Sequence, residues 1–248
     1  MPLTDGLSVY VATPCIKDIP VQTVCAYLDT QETCLKYGIE IDIGFITGSL
    51  VHHARTLAAN IFLKGKHQRL FWIDADIVWT PEDFLRLLIH SRTRECVVGI
   101  YPRRADPPAY YVRFMPDSEP NDEGLVSISG TGLGFACIQR KVIEQLAEKA
   151  PKLQYAGTSV PVPSIFRQDD ADGEARGEDY AFWADVRALG YEIWADTMVN
   201  LGHIGNKVYR MRLPPPMPSE GQGVAQDGNN KELAGEDLHG TTNPQTPR

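Results

Sequence analysis

The sequence predicts an α/β fold with a nucleotide-binding first half, and three observations predict it. Short β-branched or apolar runs alternate with helical periodicity through the first hundred residues. The run Leu70 to Ile73 is apolar without interruption, as in a strand covered on both faces. Beyond residue 101 the pattern turns irregular, with Pro- and Gly-rich stretches between shorter segments.

Ser8 to Thr13 (SVYVAT), stopped by Pro14, reads as a buried first strand. From Val21 to Tyr37 the residues Val21, Val24, Cys25, Leu28 and Leu35 recur near helical spacing, with Gly38 as the stop. Ile39 to Ile43 alternates apolar and acidic residues before Phe45-Ile46-Thr47, giving a second strand. Gly48-Ser49 offers a turn and an N-cap for a helix over Ser49 to Leu63. The strand Leu70 to Ile73 then opens into Asp74-Ala75-Asp76, and Thr80-Pro81 starts a helix with a capping hydroxyl and Pro at its first position.

Glu95 to Tyr101 is a further strand. Leu125 to Ser129 and Phe135 to Ile138 flank Gly130-Thr131-Gly132-Leu133-Gly134, and a helix covers Lys141 to Lys149. Ala156 to Gly177, acidic and poor in apolar anchors, reads as a long loop and a candidate lid. A helix from Glu178 to Leu189, a strand from Tyr191 to Ala195 and a loop from Asn200 to Gly205 complete the pattern. Leu213 to Arg248 carries too little apolar surface to offset its ordering entropy. The expected division is therefore one catalytic-size domain over 1–212 and a disordered tail over 213–248.

The 248 residues carry 24 Lys and Arg against 32 Asp and Glu, a formal charge of −8, which argues against general attraction to nucleic acid or anionic membranes. No segment approaches the roughly 20 apolar residues needed to span a bilayer, and there is no leader-like start, so a cytoplasmic protein is expected. Five cysteines without a C-x-x-C pair point to reduced, mostly buried thiols.

Two carboxylates one residue apart at the end of a buried strand can address a divalent cation and a sugar hydroxyl together, and Asp74 and Asp76 have that arrangement. Glu178 and Asp179 open a helix, where they either cap it or serve an acceptor hydroxyl as base, with Asp179 the candidate. His203, between Gly202 and Ile204-Gly205, is a candidate metal ligand in a flexible setting. Arg55 shares its helix with His52 and His53, so a solvated polar face and a binding site explain it equally well. Lys207 either neutralises charge on a leaving diphosphate or is a plain surface lysine, Arg103-Arg104 follow a strand end and either touch phosphate or acceptor sugar or form a surface ion pair with Asp106, and Trp183 is the best-placed tryptophan for an acceptor sugar. The glycines from 130 to 134 do not have dinucleotide-cradle spacing and instead either permit close approach of a donor sugar, at Gly130, or turn the chain.

The ordered combination WIDADIVW, SGTGLGFACI, GEDYAFWADVRALGYEIWAD and NLGHIGNKVY resembles GT-A glycosyltransferases, especially compact bacterial and viral ones, over roughly residues 6 to 210. The resemblance implies a mixed central sheet and a nucleotide-sugar donor, probed first as a uridine diphosphate sugar. It implies that Ala12-Thr13-Pro14 hold the base, that Arg55 approaches the nucleotide, and that Asp74-Ala75 contact ribose or sugar. It also implies that Asp76 and His203 bind Mn2+ or Mg2+. A glycan or other hydroxyl acceptor would then react by inverting displacement. Two alternatives stand beside it. Asp74-Ala75-Asp76-Ile77-Val78 also imitates the nucleophile motif of haloacid-dehalogenase-like phosphatases, and a nucleotide-sugar-binding module without turnover would share the fold.

Overall fold

The computed structural model describes residues 6–107, 109–171 and 174–211. The expected tail, 213–248, lies outside the described residues. In chain order the first half comprises β1 (Ser8–Cys15), α1 (Val21–Lys36), β2 (Glu40–Thr47), α2 (Val51–Lys64), β3 (Arg69–Ile73), β4 (Ile77–Val78), α3 (Pro81–His90) and β5 (Cys96–Gly99). The second half comprises β6 (Val112–Phe114), β7 (Leu125–Thr131), β8 (Phe135–Gln139), α4 (Arg140–Lys149), β9 (Lys152–Leu153), β10 (Val162–Pro163), β11 (Asp169–Ala171) and β12 (Glu174–Arg176). It ends with α5 (Glu178–Ala188), β13 (Ile193–Asp196), β14 (Gly202–Ile204) and β15 (Val208–Arg210).

Eight strands form one mixed sheet in the order β2-β1-β3-β8-β5-β13-β7-β6. β1 is parallel to both β2 and β3, whereas β8 runs antiparallel to β3 and β5. β13 is parallel to β5 and antiparallel to β7. The carboxyl ends of β1, β2 and β3 therefore share one edge. The order reverses at β1, so a crevice opens there between β1 and β3, the place where open α/β sheets take ligands.

The uninterrupted apolar run of β3 is explained by its two covers. Leu70 and Trp72 pack toward α2, α4 and α5, whereas Phe71 and Ile73 pack toward α1 and α3. The start of α3 follows its sequence signal, since the Thr80 and Asp83 side chains form a reciprocal capping box with Pro81 in the first turn. Ser49 does not cap α2: its N-cap is Leu50, which makes no side-chain capping bond.

The helix α1 lies where its periodicity places it, but with its faces exchanged. Val21, Val24, Leu28 and Leu35 are exposed, while Thr23, Tyr27, Thr30 and Cys34 are buried. The buried hydroxyls are satisfied, which makes that orientation tolerable. Thr23 Oγ1 donates to the Ile77 carbonyl at 2.9 Å, Trp79 Nε1 donates to Thr30 Oγ1 at 2.9 Å, and Tyr27 bonds to Thr13.

The carboxyl end of α2 is held by one side chain of α4. Arg140 Nε donates to the His67 carbonyl at 2.7 Å, and its Nη2 donates to the carbonyls of Phe62 at 2.9 Å and Gly65 at 3.0 Å. A guanidinium there meets both the unpaired carbonyls and the negative end of the helix dipole. Arg140→Ala is expected to lower stability by about 1–3 kcal/mol, read as a lower urea midpoint with unchanged m value. An unchanged midpoint would show that water replaces the clamp without loss.

The candidate lid, Ala156 to Gly177, is not structureless: it contains β10 and the β11–β12 hairpin, with Asp169 paired to Arg167 and Arg176. All five cysteines are free, and Cys25 alone is exposed. Among the described residues no helix is long and apolar enough to cross a membrane.

Candidate active site

A cleft of about 520 Å³ opens at the shared strand edge, within the range of roughly 300–1,000 Å³ typical of small-molecule sites. One wall is the segment after β1, from Pro14 to Asp18 with Pro20. A second comes from Gly48, Val51 and Ala54 at the β2–α2 junction. Asp74, Ala75, Asp76, Arg104 and His203 complete it.

The position of Asp74-Ala75-Asp76 is fixed by main-chain bonds. The Asp74 N–H donates to the Gly134 carbonyl at 3.0 Å, the Ile77 N–H to the Asp74 carbonyl at 3.1 Å, and the Ile204 N–H to the Asp76 carbonyl at 2.8 Å. Just beyond, β4 pairs with β14 so that Ile77 lies opposite His203. His203 is thus on a strand, not in the flexible loop its glycines suggest, and the ladder carries it to Asp76 despite the separation in sequence. Its Nε2 lies 3.5 Å from Asp76 Oδ2.

The other ring nitrogen decides what that proximity means. His203 Nδ1 lies 2.9 Å from the Pro102 carbonyl, which can only accept, so Nδ1 carries the proton. In the neutral ring, Nε2 then turns a lone pair toward a carboxylate oxygen. Two acceptors facing each other suit a cation between them, and a ring N–H given to a carbonyl is the usual outer support of a metal-bound histidine. Among the described residues no group of three or more His, Cys, Asp and Glu could hold a metal. Asp76 and His203 fit such an ion as a two-donor grip that needs oxygen ligands from a bound anion or water.

Arg104 Nη2 stands 3.1 Å from Asp76 Oδ2, half-exposed in the same cleft. Burial raises the Asp76 pKa, but the hydrogen bond and charge that His203 supplies when its ring is protonated, together with the charge of Arg104, outweigh it and hold the carboxyl below its usual range. Asp76 is therefore ionised at neutral pH.

Arg55 resolves its two readings decisively, for its side chain is 1% exposed and the solvated-face account fails. Its Nη2 lies 3.0 Å from Asp74 Oδ1 and 3.5 Å from Asp179 Oδ1, and its Nε lies 4.0 Å from Glu178 Oε1. Arg55 lies beneath the carboxylates and does not line the cleft, so it orders acidic side chains instead of approaching a nucleotide. Its guanidinium also lies over Trp72, 5.5 Å from the ring centroid. Glu178 and Asp179 lie in the first turn of α5, where the helix dipole favours them, and make no side-chain capping hydrogen bond.

Burial is the largest cause raising the Asp179 pKa to about 7, with the charges of Asp74 and Glu178 adding to it and Arg55 opposing. Asp74 is raised for the same first reason. Tyr101, partly buried beside them, accepts a hydrogen bond from the Gly134 N–H at 3.0 Å. A Cβ at Gly134 would meet Tyr101 Oη at 2.7 Å and Asp74 Oδ2 at 2.8 Å, so any other residue there would displace those two side chains.

Four sequence assignments need correction. Ala12 and Thr13 are buried within β1, so of the three residues proposed to hold a base only Pro14 reaches the cleft, together with Cys15 to Asp18. Trp183 is fully buried and gives its Nε1 proton to the Thr131 carbonyl at 2.8 Å, so it contacts no acceptor. Lys207 pairs with Asp106 at 2.8 Å outside the cleft, whereas Arg104 brings positive charge into it. Gly130 faces Tyr180, 3.1 Å from where its Cβ would be, and not the cleft. Tyr101 and Arg104 were the residues least visible in the sequence. Tyr101 gave no motif, and Arg104 was one of an undistinguished pair.

No protein-family model and no curated protein matches the chain. Solved structures do match. A197 from STIV aligns with a TM-score of 0.54 at 20% identity, covering 80% of this chain and 86% of that one. GalNAc-T7, crystallised with UDP, GalNAc and Mn2+, aligns with a TM-score of 0.52 at 14% identity and covers 87% of this chain. This chain spans 46% of the GalNAc-T7 chain. At these identities the likeness shows architecture, and the architecture of this chain is a GT-A-like α/β fold.

Proposed function

We propose that the protein is a glycosyltransferase that binds a nucleoside diphosphate sugar with Mn2+ or Mg2+ and passes the sugar to an acceptor hydroxyl. The observation that carries this reading is the His203 lone pair held against Asp76 in a cleft of nucleotide size. The fold shared with GalNAc-T7, which was solved with UDP and Mn2+, supports it. A cation gripped by Asp76 and His203 supplies positive charge to the diphosphate when bound.

The remaining work belongs to the chain. Arg104 faces the same diphosphate and offsets charge as the bond from the anomeric carbon to the phosphate oxygen breaks. Asp74 and Ala75, at the end of β3, contact ribose or sugar, and Pro14 with its neighbours holds the base. Asp179 accepts the acceptor hydroxyl proton as the new carbon–oxygen bond forms on the opposite face, giving inversion. The third-strand position of the acidic motif favours this reading over the phosphatase, whose nucleophile belongs on a first strand.

The test is thermal unfolding with uridine diphosphate, with and without Mn2+. Ligand at a hundredfold excess over Kd adds about 2.7 kcal/mol of stability, and a marked rise in Tm is expected only when both are present. Equal shifts without metal would sink the two-donor grip. In a following transfer assay the rate should climb as pH rises through about 7, because Asp179 must lose its proton to act as base. A rate flat between pH 5 and 9 would exclude it from that role.

A further inference from the structure

Two groups of the cleft converge on one carboxylate oxygen. Asp76 Oδ2 lies 3.5 Å from His203 Nε2 and 3.1 Å from Arg104 Nη2. A cation held jointly by Asp76 and His203 draws on the oxygen nearest the ring. A guanidinium on that same oxygen is a rival for its lone pairs and a like charge beside the ion. Whatever Asp76 gives to one of them weakens its hold on the other.

The fold directs Arg104 to this position. The Pro102 bridge to Tyr110, with the Arg103 N–H donating to the Ala109 carbonyl at 2.7 Å, closes the base of the loop that carries it. The loop is also tied to the turn between β14 and β15, where Lys207 Nζ donates to the Asp106 carboxylate at 2.8 and 2.9 Å. In that turn Gly205 leaves room for the arginine stem, since a Cβ there would stand 3.0 Å from Arg104 Cδ. The hairpin that presents His203 thus also makes way for its competitor.

We propose that Arg104 competes with the divalent cation for Asp76, so that the cation binds weakly by itself and tightly together with a diphosphate, which draws the guanidinium away; this rests on the donor reading above. A diphosphate suits that exchange, because its paired oxygens match the guanidinium fork and the arginine side chain is half-exposed in the cleft. The resulting coupling is reciprocal, each ligand favouring the other.

The experiment titrates Mn2+ alone, counted by its electron paramagnetic resonance signal, and uridine diphosphate alone, followed by calorimetry, into the full chain and its variants. The two affinities should move in opposite directions. R104Q is expected to bind Mn2+ at least tenfold more tightly than the wild type, and uridine diphosphate at least tenfold more weakly. R104K, which keeps the charge, should retain the weak Mn2+ binding of the wild type, and R104Q/D76A should lose the gain, which locates it at Asp76. An arginine that served the diphosphate alone would leave Mn2+ binding unchanged. Mn2+ affinity unchanged or lowered in R104Q, a gain that survives in R104Q/D76A, or undiminished uridine diphosphate binding by R104Q would overturn the proposal. If the wild type gave no joint Tm response to uridine diphosphate and Mn2+ while R104Q still gained Mn2+ at Asp76, the donor reading would fail and the competition for Asp76 would stand, so the two failures are distinguishable.

Discussion

Arg55→Met is expected to cost about 3–5 kcal/mol of stability, because it leaves Asp74, Asp179 and Glu178 crowded together without their cation. Against the roughly 5–15 kcal/mol that holds a typical domain folded, this is a large loss, and the variant should show a much lower Tm at pH 8. The loss has a direction in pH. Asp179 already holds its proton up to about 7 in the folded protein, above the usual carboxylate range, so the folded state binds more protons than the unfolded one between those values. Stability of the wild type should therefore fall as pH rises through that window. Removing the guanidinium raises the carboxyl pKa values further, so the variant should recover part of its deficit at pH 5. Urea unfolding at both pH values checks this, and a small deficit independent of pH would reduce Arg55 to a packing residue over Trp72.

Asp76→Ala should have the opposite profile, with a large loss of function and a small loss of stability. Its side chain is partly exposed and its ion pair with Arg104 lies in the open cleft, a kind of pair worth roughly 0–1 kcal/mol. Turnover should fall on the order of 10³-fold, and the extra Tm rise contributed by Mn2+ to uridine diphosphate binding should vanish. A variant that unfolds normally, retains the Mn2+ response and turns over at the wild-type rate would refute the assignment.

The contrast between these variants follows what could be read before the fold was known. Asp74 and Asp76 are local to a strand whose apolar lead-in is unmistakable, and the cap of α3 is equally local, so both were legible. Periodicity found α1 but not its orientation. Val21, Val24, Leu28 and Leu35 match a buried face by composition, yet Thr23, Tyr27 and Thr30 go inside because the Ile77 carbonyl, the Thr13 hydroxyl and the Trp79 N–H respectively satisfy their hydroxyl groups. Arg55 was undecidable because its three partners are supplied by β3 and α5. Trp183 was misjudged because an indole suits a sugar face, but its N–H finds a carbonyl within the core. Partners supplied by distant segments, rather than residue type, decide the positions that the local pattern leaves open.

The pairing of β14 with β4 also sets a schedule for biosynthesis. Asp76 leaves the ribosome well before His203, and the early strands can assemble a crevice that holds the acid alone. Only when the β14–β15 hairpin zips into place does the imidazole arrive, so the cleft acquires its second donor only after that hairpin has been synthesised. A nascent chain cut short before that hairpin would have the acidic motif and no means of completing it.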